Sequence, residues 1–142
     1  MEDLLKISNQ LCFPIYALSK EITNQYRPLL EKLDLTYPQY LVLMVLWEHQ
    51  KLNVCEIGKI LRLDSGTLTP LLKRLEAKQI VKRERSKQDE RIVDVSLTEK
   101  GIALEEDAVC IPVQLMEKVQ LSPEEILQFK TIINKIFNTI EK

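Results

Sequence analysis

The chain has 142 residues, 45% of them hydrophobic and 29% charged, with a formal net charge of −1, which describes an ordinary globular domain long enough to bury a real core. No apolar run approaches the ~18 residues of a membrane span, and the acidic start Met1-Glu-Asp-Leu-Leu-Lys6 lacks the basic opening of a secretory signal, so the expected location is the cytoplasm. Cys12, Cys55 and Cys110 are widely spaced and His49 is the single histidine, so neither a metal site nor another cofactor is expected and any special role for the thiols is redox chemistry.

Apolar residues at Leu4, Leu11, Ile15, Leu18 and Ile22 predict a helix over residues 4–26. Pro14 predicts either a kink or two helical pieces meeting near Cys12. Thr36-Tyr-Pro-Gln39 is a capping-box pattern opening a helix over residues 37–49, whose near-continuous apolar content predicts burial on most sides. His49 suits the end of that helix. Asn53, with Glu56 three positions on, predicts a cap for a short helix over 54–62, with Cys55, Ile57, Ile60 and Leu61 packed inward. Asp64 or Ser65 then caps a second short helix. On it Leu68, Leu71, Leu72 and Leu75 share one face, and Gly66, Thr69, Pro70, Lys73 and Arg74 share the other. Two short helices joined by about three residues make a helix-turn-helix.

Runs 80–85 and 91–97, rich in β-branched residues around the polar turn 86–90, predict a β-wing. Charge is uneven along the chain: residues 73–91 carry eight Lys/Arg against four Asp/Glu, and residues 92–142 carry five against nine. The near-neutral total therefore conceals a basic helix end and wing, where a phosphate-binding surface needs them. Thr98 predicts the cap of a long helix over 99–119, bent at Pro112, and Ser122-Pro-Glu-Glu125 a capping box for the last helix. Ile126, Phe129, Ile133, Ile136 and Ile140 form an apolar seam there. With the first helix it offers more apolar face than a small lobe covers, to be buried in a dimer or within one chain.

This order of elements resembles the MarR family of winged-helix repressors over nearly the whole chain. The marker is Asp89-Glu-Arg91 followed by Leu97-Thr-Glu-Lys-Gly101. The strings from Gly66 to Glu76 and from Asn9 to Phe13 resemble its organic-hydroperoxide-sensing, OhrR-like branch, of the two-cysteine type. The resemblance implies a mainly α fold with a small antiparallel β-wing in one domain, 1–142. A winged helix-turn-helix lobe at 37–98 would sit beside dimerisation helices at 1–36 and 99–142. It implies a homodimer on double-stranded DNA with a pseudo-palindromic operator. Thr67, Thr69, Pro70, Lys73 and Arg74 then fall to the major groove or its flanking phosphates, and Ser65 to a phosphate at the helix start. Arg91, oriented by Asp89, falls to the minor groove, and Arg83, Arg85 and Lys87 to phosphates.

The same resemblance makes Cys12 the peroxide-reactive thiol. Tyr16 is its i+4 neighbour, while Tyr26 lies about 21 Å along the helix and cannot touch the Cys12 of its own chain. Tyr26 and Tyr37 are then supplied by the dimer mate, and their phenols stabilise the thiolate and make it more nucleophilic. Oxidation leads through sulfenic acid to a disulfide, with Cys110 of the other subunit or with a small cellular thiol. The reduced protein is expected to hold its operator, as a repressor, and to release it when an organic hydroperoxide or related oxidant oxidises Cys12. Two competing readings are a regulator gated by a small aromatic ligand and a thiol peroxidase, which lacks a supporting βαβ pattern.

Overall fold

The computed structural model describes residues 2–141. Short 3₁₀ turns at Glu2–Leu5 and Ile7–Asn9 precede α1 (Cys12–Glu31), α2 (Tyr37–His49), β1 (Lys51–Asn53), α3 (Val54–Leu61), α4 (Ser65–Ala77), β2 (Val81–Arg85), β3 (Val93–Leu97), α5 (Glu99–Ala108), α6 (Cys110–Val119) and α7 (Pro123–Ile140). The expected class, mainly α with a small antiparallel β-wing, is the one observed. Two compact units divide the chain, one up to Val109 and one from Cys110. Among the described residues no helix is long and apolar enough to cross a membrane.

The first unit is built on α2. Tyr40, Val42, Leu43 and Leu46 are buried on several sides of it, as its unbroken apolar run requires. Ile57 of α3, the four leucines of α4, Val81 and Val95 close around them. Each fully buried Leu or Ile contributes about 1.5–3 kcal/mol, so this cluster dominates the stability of the lobe. The sheet has the order β1-β3-β2, all antiparallel, with Val81 opposite Leu97 and Arg85 opposite Val93. β1 was not foreseen. Its three residues pair with β3 through Lys51–Ser96, Leu52–Val95 and Asn53–Asp94, too short a run to show alternation.

Five helices begin on a side-chain cap. Thr36, Asn53, Asp64, Thr98 and Ser122 each accept from the amide three residues on, and three of them form complete capping boxes. Gln39, 3% exposed, is stable inside because its Oε1 accepts from both the Thr36 amide at 3.1 Å and Lys78 Nζ at 3.3 Å.

Three expectations are corrected. The N-terminal helix does not begin at Leu4, because Asn9 donates to Asp3 O and Gln10 to Leu4 O and Lys6 O, holding 3₁₀ turns instead. Two helical pieces thus meet near Cys12, and Pro14 falls in the first turn of α1, where its missing N–H costs nothing. That helix then continues through Pro28 to Glu31, past its expected end at Tyr26. The single long helix over 99–119 is broken at Val109 into α5 and α6. Pro112 has no N–H for the Ala108 carbonyl and its ring crowds that oxygen. Cys55 and Ile60, expected inside, are exposed. On the eight-residue α3 only Ile57 is fully buried, so its other apolar side chains fan out beyond the contact face.

The seat of α5 is unusually tight. The Thr98 hydroxyl donates to Gln79 O and Ile80 O, and Trp47 Nε1 donates to Gly101 O at 2.9 Å. A Cβ at Gly101 would lie 2.3 Å from Ile80 O, so any other residue here requires the backbone to shift. In the second unit Ile111 and Leu115 of α6 are buried, whereas α7 buries no residue completely.

Candidate nucleic-acid interface and thiol site

The helix-turn-helix is set by its turn. Arg62 is in the left-handed region at φ 57°, Leu63 N donates to Gly58 O at 2.9 Å, and a Cβ on Gly58 would meet Leu63 O at 2.7 Å. Gly58, which sequence reasoning missed, lets the chain turn back against α3. Asp64 then opens α4 by accepting from Thr67 N at 2.7 Å. Thr67, through its amide first and its hydroxyl second, holds the Asp64 carboxyl below its ordinary range. A negative charge there suits a helix start. With the four leucines buried beneath, Ser65, Thr67, Pro70, Lys73 and Arg74 are exposed and Thr69 is half-buried. The two faces read from the sequence are therefore the two faces observed.

The wing carries its cations in three different ways. Arg91 stands clear, its side chain 92% exposed, with Asp89 Oδ1 accepting from its backbone N at 3.1 Å and its Nε at 3.3 Å. Arg85 organises the tip, donating through Nη1 to Glu90 O at 2.8 Å, and Lys87 is exposed beside it. Arg83 departs from the expected phosphate role. It shares the strand face of buried Val81, its side chain is only 20% exposed, and Glu76 accepts from both its backbone N and its Nη2. Its Nε is buried without a hydrogen-bond partner. The charge is engaged by Glu76 of α4, and the residue ties α4 to β2.

The thiol set is divided along α1. Cys12 and Tyr16 lie in its first half, where residues 12–21 are all exposed and the Tyr16 ring, 63% exposed, has Lys20 Nζ 5.2 Å from its centroid. Tyr26 is near the other end, packed on Tyr37 with ring centroids 4.6 Å apart and on Tyr40 at 5.8 Å. Fourteen residues of continuous helix separate Cys12 from Tyr26, about 21 Å. Burial pushes the Tyr26 phenol up to about 12, with Tyr37 and then Tyr40 adding to the effect, and burial also raises Tyr37. Both phenols are therefore protonated hydrogen-bond donors at neutral pH. Cys110 is exposed at the first position of α6.

Residues 24–107 match the family described as transcriptional regulator SarA/Rot. The organic hydroperoxide resistance transcriptional regulator of Bacillus subtilis (strain 168) is 49% identical over 140 residues, 99% of this chain and 95% of that protein. The chain belongs to the MarR-type winged-helix transcriptional regulators, in the OhrR-like, SarA/Rot group. Among solved structures of such regulators, reduced AbfR bound to DNA superposes with a TM-score of 0.80 at 34% identity, covering 98% of both chains. AbfR is a protein of Staphylococcus epidermidis. It is also known overoxidised on DNA, with a TM-score of 0.79, and in a disulfide form, with 0.65, both at 34% identity; these cover 97% and 96% of this chain and 98% and 96% of those chains. The complex of Staphylococcus aureus MepR with DNA superposes at 0.83 with 30% identity, covering 92% of this regulator and 98% of MepR.

Proposed function

We propose that this chain is a homodimeric, thiol-based redox regulator that acts in the cytoplasm and binds a pseudo-palindromic operator when reduced. The outer face of α4 enters the major groove, with Thr67, Thr69 and Pro70 towards the base edges, Lys73 and Arg74 on the flanking phosphates and Ser65 on a phosphate at the helix start. Arg91 enters the minor groove, oriented by Asp89, while Arg85 and Lys87 meet phosphates. The observation that carries the redox half is α1. It holds Cys12 and Tyr16 in an exposed, apolar first half and Tyr26 near the far end, packed on Tyr37 of α2, which supports the reading that Tyr26 and Tyr37 serve the Cys12 of the other chain.

The chemistry balances as follows. The Cys12 thiolate attacks an organic hydroperoxide, the O–O bond breaks, sulfur is oxidised to sulfenic acid and the peroxide leaves as its alcohol after taking a proton. The thiol of Cys110 in the other subunit, or a small cellular thiol, then displaces water to form a disulfide. AbfR is known on DNA both reduced and overoxidised. That favours disulfide formation, rather than the charge gained on sulfur, as the step that alters DNA binding.

The test is a titration of cumene hydroperoxide against the protein on a duplex selected from a random library by the reduced protein. Wild type should release the duplex, and Cys12→Ser should not. Retained affinity alongside mass-confirmed disulfide formation at Cys12 would sink the switch. A second reading is supported by a cavity of about 470 Å³ lined by Thr23, Arg27, Tyr37 and Lys78, among others. Glu31 and Asp34 also line it and balance Arg27 and Lys78, so it suits a neutral aromatic such as a phenol, and release of Cys12→Ser from DNA by such a compound would favour ligand gating.

A further inference from the structure

The outer face of α4 carries two residues that helices avoid. Gly66 and Pro70 are four apart, both exposed, and both opposite the buried Leu68, Leu71, Leu72 and Leu75. Proline and glycine have the two lowest helix propensities; Pro70 lies in the interior of α4 and Gly66 in its first turn, where the penalty is smaller. Pro70 also has no N–H to return to the Gly66 carbonyl, and its ring crowds that oxygen.

The fold itself does not ask for this pair. A Cβ on Gly66 meets only Asp64 Oδ1 at 3.5 Å, an ordinary contact, and the residue is outside the left-handed region. The other two glycines differ, since Gly58 and Gly101 would each drive a Cβ into a backbone oxygen at 2.7 and 2.3 Å. Pro70 lies beyond the first turn, where a proline N–H would have been superfluous, and covers no part of the core. Any residue of good helix propensity would serve the chain better at both positions, so their use is explained by what approaches this face from outside.

We propose that Gly66 and Pro70 form a flat, side-chain-poor strip on which the major-groove edge of a duplex makes its closest approach. The bare Gly66 backbone lets the base edges come near, and the Pro70 ring offers apolar carbon to a thymine methyl. The helix gives up stability to present this strip. The inference rests on the DNA-binding reading above and adds a shape-based contribution to sequence preference, distinct from the phosphate contacts of Lys73 and Arg74.

Gly66→Ala and Pro70→Ala should therefore move stability and recognition in opposite directions. At equal protein concentration the midpoint of thermal unfolding should rise, more for Pro70→Ala in the interior of α4 than for Gly66→Ala in its first turn. Affinity for the selected duplex should fall about tenfold or more for each variant. Affinity for a scrambled duplex of the same length should stay unchanged, because phosphate contacts set it. Lys73→Ala should lower both affinities together. A lowered midpoint would assign the pair to the fold, and an unchanged ratio of selected to scrambled affinity would show that nothing approaches the strip; either result overturns the proposal. A wild type with no preference for its selected duplex would remove the DNA reading and this inference together.

Discussion

Arg91 is held by a single carboxylate and otherwise faces solvent. An exposed ion pair of this kind contributes about 0–1 kcal/mol to stability, so Asp89 aims the guanidinium rather than supporting the lobe. Arg91→Ala should leave the unfolding midpoint almost unchanged and weaken operator binding by about 1–3 kcal/mol, read by fluorescence anisotropy at physiological salt. An effect indistinguishable from zero would remove Arg91 from the interface. Arg83 shows how far sequence reasoning reaches at this scale. It was grouped with the other wing cations by charge, but strand parity places it with Val81 on the inward face and Glu76 takes up its donors. Cys55 and Ile60 were misread for a related reason: apolar type marks a preference for burial, while an eight-residue helix has only one contact face to offer. The outer face of α4 was legible because four leucines at spacings of three and four leave no choice about which side is buried.

Among the elements, starts were easier to read than ends or interruptions. A cap is local, set by a Ser, Thr, Asp or Asn and the amide three residues on; four of the five side-chain caps are single readings from short strings, and Asp64 is one of two adjacent candidates. The break at Val109 and the start of α1 at Cys12 depend on how a proline and a pair of amide side chains resolve competing hydrogen bonds, which a periodicity does not record. β1 exists only because β3 offers it an edge. α5 gives the strongest prediction at this scale. Gly101 sits where Trp47, Thr98 and Ile80 converge, and an added methyl group meets the Ile80 carbonyl. Gly101→Ala should cost about 1–3 kcal/mol through overpacking, measured by urea denaturation, and should loosen the junction between α4, β2 and α5. Stability equal to wild type would show that the backbone can shift to admit the methyl group.

For the whole molecule, the wing and recognition helix belong to one lobe that is pinned at several places. Glu76 joins α4 to β2 through Arg83, Lys78 donates from the end of α4 to Asp34 O and Gln39, and Lys100 donates to Lys78 O. The apolar first half of α1 and the seam of α7 are legible as apolar faces in the sequence, but whether a second chain or the same one covers them is not a property of one chain's periodicity. The length of α1 carries a consequence for stoichiometry. If each reactive thiol is served by phenols from across the dimer, the two sensing centres are composites, and defects in different chains can complement one another. A heterodimer of a Cys12→Ser chain with a Tyr26→Phe, Tyr37→Phe chain contains one whole centre and one doubly defective centre. Stopped-flow oxidation of such mixed dimers should show one rapidly reacting thiol per dimer, a phase absent from both parental homodimers.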